Sequence, residues 1–261
     1  MHLNHYMNCS LNWLISHIAI LYKTTSSISL QRYKSLREKT SLAMASNEDK
    51  ATTPPAGLLE TIQLEHVPST HTVHIAAFKD VTNAEFLQQQ LLSRNAEFEY
   101  AFIDASSVTS RLQVLAAVFK AITVQLTGNM KTPNLHSEIV CSLSPNKNIS
   151  EAYRRFGIAA SSQHLIVVKV LIPPSSPSPS PSPPLTPTTI SSHLHANIHG
   201  TPLIPFTDAV LQSELTDWAK VRKYYKLNGS SCLDAFGDDE VERRRRETEM
   251  LVLGGMALRS L

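Results

Sequence analysis

Short apolar runs and longer amphipathic stretches alternate along the chain, with the hydrophobic period switching between about two and about 3.6 residues. Val73 to Phe78 is a compact apolar run that predicts a strand. Thr82 and Glu85 form a capping-box start for a helix through about Ser93, with Ala84, Leu87 and Leu91 on one face. Tyr100 to Ile103 predicts a second strand, and Val108 to Leu126 a long helix ending at Gly128. Glu138 to Leu143 is short, apolar and bounded by Ser144-Pro145, the pattern of a buried strand. Asn148 and Ser150 then offer N-cap oxygens, and Ile149, Tyr153 and Phe156 recur at helical spacing. Gly157 is placed to stop that helix in the left-handed conformation, and Leu165 to Ile172 is a β-branched strand. The pattern predicts one α/β domain from about residue 57 to 261, a mixed sheet packed by helices.

The long helix carries two apolar stripes. Leu112, Leu115, Phe119, Ile122 and Leu126 form the face expected to pack on the sheet; Val114, Ala117, Val118, Ala121 and Val124 lie off it, and Lys120 is the one charge between 112 and 126. A helix apolar nearly all round is either sandwiched inside its own fold or covered by a partner.

Two segments do not read as globular. Residues 1–43 carry a net charge of +4 within a chain of net +2, so the remainder is net −2. Nucleic-acid contact would therefore come from local basic patches rather than from a bulk field. The apolar stretch Leu11 to Tyr22 is shorter than the roughly twenty residues a bilayer span needs, and no Lys or Arg precedes Lys23 to make a secretory signal. The basic, Ser-rich stretch after it has the flavour of a mitochondrial presequence; the preferred reading makes Met44 the start and 1–56 a disordered extension. Pro173 to Pro187 is a Ser-Pro alternation continuing through polar residues to His199, which predicts a solvated insertion over 173–199. Ser178, Ser180 and Ser182 each precede a proline and are candidate phosphorylation sites, with an unmodified spacer as the simpler reading. Cys9, Cys141 and Cys232 are an odd, scattered set that fits a reducing compartment.

No phosphate-binding glycine loop, H-E-x-x-H or C-x-x-C pattern is present. His193, His195 and His199 sit beside the Pro/Ser run with no element to fix a metal geometry. Glu138 and Glu151 are explained by a local polar contact and a helix start rather than as a carboxylate pair. No catalytic, cofactor or metal residues are assigned. Lys131, Lys147, Arg154 and Arg155 cluster in one segment; Lys220, Arg222 and Lys223 share a helix with Trp218, Tyr224 and Tyr225. Basic groups with aromatic faces suit RNA, although Trp218, Val221 and Tyr225 also form a core-facing stripe. The run Arg243 to Arg246 is expected to pair at i, i+4: Glu240 with Arg244, Glu242 with Arg246, Arg243 with Glu247, Arg245 with Glu249. Met250 to Leu258 would dock that helix on the body, Gly254-Gly255 marking a bend.

Several blocks stand in a family's order and spacing: F-K-D-V-x-N-A at 78–84, N-L-H-S-E at 134–138, L-S-P at 143–145, N-I-S-E-A at 148–152, R-F-G-I at 155–158 and K-V-R-K-Y-Y-K-L at 220–227. On these the chain resembles the small kinase-binding subunit family of the EKC/KEOPS tRNA-modification complex, over roughly 60–170 and 198–261. The resemblance implies a non-catalytic accessory subunit without a cofactor. It would bind and modulate the kinase-like ATPase subunit and, through it, meet the threonylcarbamoyl-transferase subunit. It would also help recruit tRNA for threonylcarbamoyl-adenosine formation beside the anticodon. It implies a nuclear and cytoplasmic location, with a telomere-linked role in fungi. On that basis Val114, Val118, Ala121 and Gln125 are the expected kinase-docking edge, and Lys131, Lys147, Arg154, Arg155, Lys220, Arg222 and Lys223 the expected RNA-facing residues. Pro133 stands where relatives carry a basic residue after the Lys-Thr pair. The alternatives are a stand-alone RNA-binding module and an enzyme with an unrecognised site.

Overall fold

Two strands, β2 (Thr72–Lys79) and β4 (Leu165–Leu171), set the architecture of the computed structural model, which describes residues 55–172, 185–237 and 239–259. Residues 1–54 of the expected N-terminal extension, with Leu11 to Tyr22 and Met44, and residues 173–184 of the expected insertion, with the three Ser-Pro serines, lie outside the described residues. β2 and β4 pair antiparallel along their length, from Thr72 opposite Leu171 to Phe78 opposite Leu165. Both carry apolar residues on both faces and are buried at nearly every position, so both faces of the pair have to be covered. β1 (Glu60–Ile62) adds to β2 and β3 (Ala101–Asp104) to β4, giving the order β1-β2-β4-β3, and a short β5 (Thr201–Pro202) pairs with the end of β2. The α/β class holds, but every described pair is antiparallel, so the parallel component of the expected mixed sheet is absent among the described residues.

One face of the sheet buries Ala76, Phe78, Phe102, Leu165 and Val167 against Ala84 and Leu87 of α1 (Ala84–Leu92) and Ile190 and Leu194 of α5 (Pro187–Asn197). Strand alternation points Ile75, Ile103, Ile166 and Val168 the other way. On that side α3 (Leu135–Ser142) and α4 (Ile149–Phe156) pack on the sheet. α2 (Arg111–Leu126) lies against α3 and against α7 (Val241–Leu258), and α6 (Trp218–Tyr224) sits over the turn after β3.

Three elements differ from the sequence expectation. Glu138 to Leu143 belongs to a helix, not a strand. Asn134 caps it, its side chain accepting from the Ser137 amide at 2.8 Å, and nearly every residue is buried, which erases the amphipathic period that would have revealed it. α5 takes up 187–197, residues expected to belong to the solvated insertion; Thr186 and Thr189 form a capping box, Pro187 occupies the first turn, and Ile190 and Leu194 are buried. Gly157 is extended (φ −77°, ψ 168°), not left-handed; glycine is needed because a Cβ there would stand 2.7 Å from the Tyr153 carbonyl oxygen.

Smaller shifts have local causes. α1 starts after Asn83 without the capping box: the Asn83 side chain donates to Asn197 O at 2.8 Å and accepts from His199 N at 3.0 Å, and Thr82 Oγ1 donates to His199 O. α2 starts after Ser110, whose hydroxyl accepts from the Gln113 amide, with a 3-10 turn over Ala105–Ser107 ahead of it. α7 runs unbroken through Gly254-Gly255.

His136 in α3 tests the packing of that helix. Its Nε2 accepts from the Val170 amide at 3.1 Å, which leaves the proton on Nδ1, 3.6 Å from a Glu99 carboxylate oxygen. Burial holds its pKa below the ordinary value, as it does for His71, His74 and His193. The unfolded chain takes up protons near pH 6.5 while these folded imidazoles resist, so stability present above that pH is lost as pH falls toward the depressed folded values. Urea unfolding will show a lower midpoint at pH 5 than at pH 7. His136→Gln, whose amide oxygen can accept the same bond, will show a smaller drop; an equal drop would exclude His136 as a contributor.

Candidate functional site

The segment from Lys131 to Gly157 and the helix α6 meet on one side of the domain, and buried polar groups hold them together. Tyr225, immediately after α6, is fully enclosed: its hydroxyl donates to Leu143 O and accepts from Gln113 Nε2 at 2.9 Å. Gln113 Oε1 in turn accepts from Thr109 N (2.7 Å) and Oγ1 (2.9 Å). The network fixes the end of α3, the start of α2 and the end of α6 relative to one another, and burial pushes the tyrosine pKa far up. Beside it, Glu138 accepts from Thr132 Oγ1 at 2.7 Å and from the Lys131 amide at 3.2 Å, closing the loop before α3. Asn146 donates to Glu151 at 2.8 Å and Asn148 caps α4 by accepting from the Glu151 amide. The local roles expected of both glutamates hold, with Glu138 on a helix.

Three of the seven basic residues assigned to RNA turn back onto the chain. Arg155 pairs with Glu151, donates to Tyr224 O at 2.9 Å and lies over the Tyr224 ring. Lys220 donates to Asp104 Oδ2 at 2.7 Å and Ser106 Oγ at 2.6 Å. Arg222 pairs with Asp234 at 3.0 Å. Arg154 reaches Glu151 only at 3.7 Å, with its side chain 73% exposed. Lys131, Lys147 and Lys223 are exposed, and the structure assigns their side chains no ion pair. Of the aromatic groups, Val221 and Tyr225 are buried and Trp218 is half-buried, with the Arg245 guanidinium over its ring. The core-facing reading of that stripe is the one the structure shows.

The expected docking edge is not a surface of this chain. Val114, Val118 and Ala121 are each 0% exposed, and Gln125 is half-buried. α2 is sandwiched: Val114, Leu115, Ala117, Val118, Ala121 and Ile122, taken from both stripes, are buried together, whereas Leu126 is exposed. Its charge is also accounted for. Lys120 donates to Met256 O at 2.8 Å, capping the last turn of α7, and burial together with Arg259 lowers its pKa to about 8.

His193 Nδ1 lies 3.0 Å from the Tyr100 hydroxyl, the two rings stacked, and among the described residues no group of three His, Cys, Asp or Glu could hold a metal ion. The His136–Glu99 pair has the elements of an acid-base dyad, but the second imidazole nitrogen is taken by the Val170 amide. The arginine run makes ion pairs at i, i+3: Arg243 with Glu240, and Arg245 with Glu242 at 3.0 Å. Arg244 caps Phe236 and Gly237 carbonyls, and Glu249 turns inward toward Ser110. Sequence reasoning missed the Gln113–Tyr225–Leu143 network and the Lys120 cap, because each joins residues far apart in the chain; the polar Gln113 in an apolar helix was the one available signal.

These residues build a three-layer domain, helices on both faces of an antiparallel sheet, whose buried polar groups serve its own tertiary contacts. The family model described as Kinase binding protein CGI-121 matches residues 78–260, and the chain belongs to that family. It is 52% identical over 203 residues to the EKC/KEOPS complex subunit CGI121 of Gibberella zeae, covering 78% of this chain and 99% of that protein. It is 49% identical over 207 residues to the Neurospora crassa subunit of the same name, with the same coverage of both chains. To the Schizosaccharomyces pombe subunit it is 32% identical over 159 residues, 61% of this chain and 84% of that one.

Tyr225→Phe leaves Gln113 Nε2 and Leu143 O without their buried partner and should cost about 2 kcal/mol in urea unfolding. Arg154→Ala removes an exposed contact and should stay within about 0.5 kcal/mol. A Tyr225→Phe protein as stable as the parent would show that the network does not hold the segment.

Proposed function

We propose that the chain is a non-catalytic adaptor of the EKC/KEOPS complex. It docks and modulates the kinase-like ATPase subunit and helps bring tRNA to the threonylcarbamoyl-transferase subunit, in the nucleus and cytoplasm. The observation that carries this reading is the match of most of the chain to a family described as kinase-binding, together with relatives named as subunits of that complex. The inward use of the polar groups supports the non-catalytic part: in the best acid-base pair the imidazole is buried and its Nε2 already accepts from the Val170 amide.

For RNA the reading narrows to the cations left facing outward, Lys131, Lys147, Lys223 and Arg154. Phosphate contacts by such side chains act additively and weaken with salt. Arg155, Lys220 and Arg222 contribute by holding α4 and α6 in place.

The triple variant Lys131→Glu, Lys147→Glu, Lys223→Glu should bind tRNA at least about tenfold more weakly in a mobility-shift titration at fixed salt. Its unfolding midpoint and its capture of the kinase-like subunit should be unchanged. Undiminished tRNA binding would remove RNA contact from this face; loss of kinase capture in a folded variant would reassign the lysines to the protein partner.

A further inference from the structure

Among the described residues a hydroxyl side chain is followed by proline at Thr132-Pro133, Ser144-Pro145, Thr186-Pro187 and Thr201-Pro202. Proline has no N–H and a fixed φ, so a pocket that offers the next amide no partner accepts proline and rejects other residues. A proline-directed protein kinase selects its acceptor in this way. The fold separates the four steps. Thr132 is buried, its hydroxyl donating to Glu138 Oε2 at 2.7 Å. Ser144 is fully buried, its hydroxyl engaged with Asn146. Thr201 is held in β5, opposite Lys79 of β2. Thr186 is exposed, and so are Leu185, Pro187, Thr188 and Thr189 around it. Its backbone is already extended (φ −113°, ψ 159°), as the following proline favours and as a kinase groove requires.

An acceptor also has to leave the helix it caps. The first buried side chain of α5 is Ile190, so the segment through Thr189 opens without uncovering the core. The bonds that break are local. Thr186 Oγ1 accepts from the Thr189 amide at 3.2 Å, Thr189 Oγ1 accepts from the Thr186 amide at 2.9 Å, and the Ile190 amide donates to Thr186 O at 3.0 Å. Fraying of a helix end lies at the low end of the range of opening free energies, whereas freeing Ser144 means opening the core.

We infer that Thr186 is a phosphorylation site for a proline-directed protein kinase, and that the phosphate fastens the start of α5. The γ-phosphoryl group of ATP passes to Thr186 Oγ1: the bond from phosphorus to the β-phosphate oxygen breaks, the P–Oγ1 bond forms, ADP leaves, and the hydroxyl proton goes to the kinase's base. Once the turn recloses, the phosphate brings close to two negative charges to the N-cap of a helix of 11 residues whose first turn holds no Asp or Glu. Its oxygens take over as acceptors for the Thr189 amide, and their charge faces the positive end of the helix dipole. The helix so fastened carries Ile190 and Leu194 into the core and sets His193 against Tyr100.

The test uses the full-length chain with Ser176→Ala, Ser178→Ala, Ser180→Ala and Ser182→Ala, so that no Ser-Pro step of that run competes. It is treated with ATP and a purified mitogen-activated protein kinase, and its phosphates are mapped by peptide mass spectrometry. Phosphate is expected on Thr186 and not on Thr132, Ser144 or Thr201. The treated chain should unfold about 2 °C higher than the untreated one. Its Thr189 and Ile190 amides should exchange hydrogen about two- to fivefold more slowly. With Thr186→Val added, treatment should change neither quantity. An absence of phosphate from Thr186 in the folded chain would overturn the inference, and so would labelling of buried Ser144 to the same extent, because exposure would then not select the site. Phosphate on Thr186 with an unchanged midpoint and unchanged exchange would overturn the fastening role. The same shift in the Thr186→Val chain would assign it to another acceptor and overturn that role as well.

Discussion

A pair of strands apolar on both sides is the constraint from which the rest of this structure follows. β2 and β4 lie side by side in the sheet and are buried along nearly their whole length, and water has to be excluded from both of their faces. One helical layer, α1 with α5, covers the first face; α3 and α4 cover the second, with α2 and α7 beyond. Because the second cover is thick, α2 is enclosed along most of its length, with Leu126 at its end left exposed.

The polar groups follow the same logic. Enclosing α2, α3 and the end of α6 would strand polar atoms unless they found one another, and the Gln113–Tyr225–Leu143 chain of bonds answers that requirement. Arg155 and Lys220 do similar work nearer the surface, each linking a helix to a backbone carbonyl or a carboxylate of another element. A basic block in the sequence thus divides into cations that hold the fold and cations that face outward, and only the second kind can recognise a phosphate or a carboxylate on a partner.

Much of this was legible in the sequence where local chemistry decides. β2, β3, β4, α4 and the body of α1 and α2 declare themselves through period and capping residues, and the motif blocks identify the family that the comparisons establish. Legibility failed where tertiary burial overrides period. α3 is buried on nearly all sides, so its apolar run was indistinguishable from a strand. α5 follows directly on a Ser-Pro run, and its short Thr-Pro-Thr-Thr start hid a helix with two core residues. The docking edge on α2 was misplaced because a sequence shows that a helix is apolar all round without showing what covers it. The sign of the arginine run was right, but its spacing depended on Glu249 turning inward.

As the proposed adaptor, this chain works by what it holds rather than by what it converts. The most direct measurement is the composition of the assembly formed by the native chain isolated from its own cells, read by quantitative mass spectrometry and sequencing of the bound RNA. The account predicts the kinase-like ATPase in near-stoichiometric amount, with tRNA recovered in its presence. Recovery of tRNA with no kinase-like ATPase would contradict it and make the chain an independent RNA-binding module.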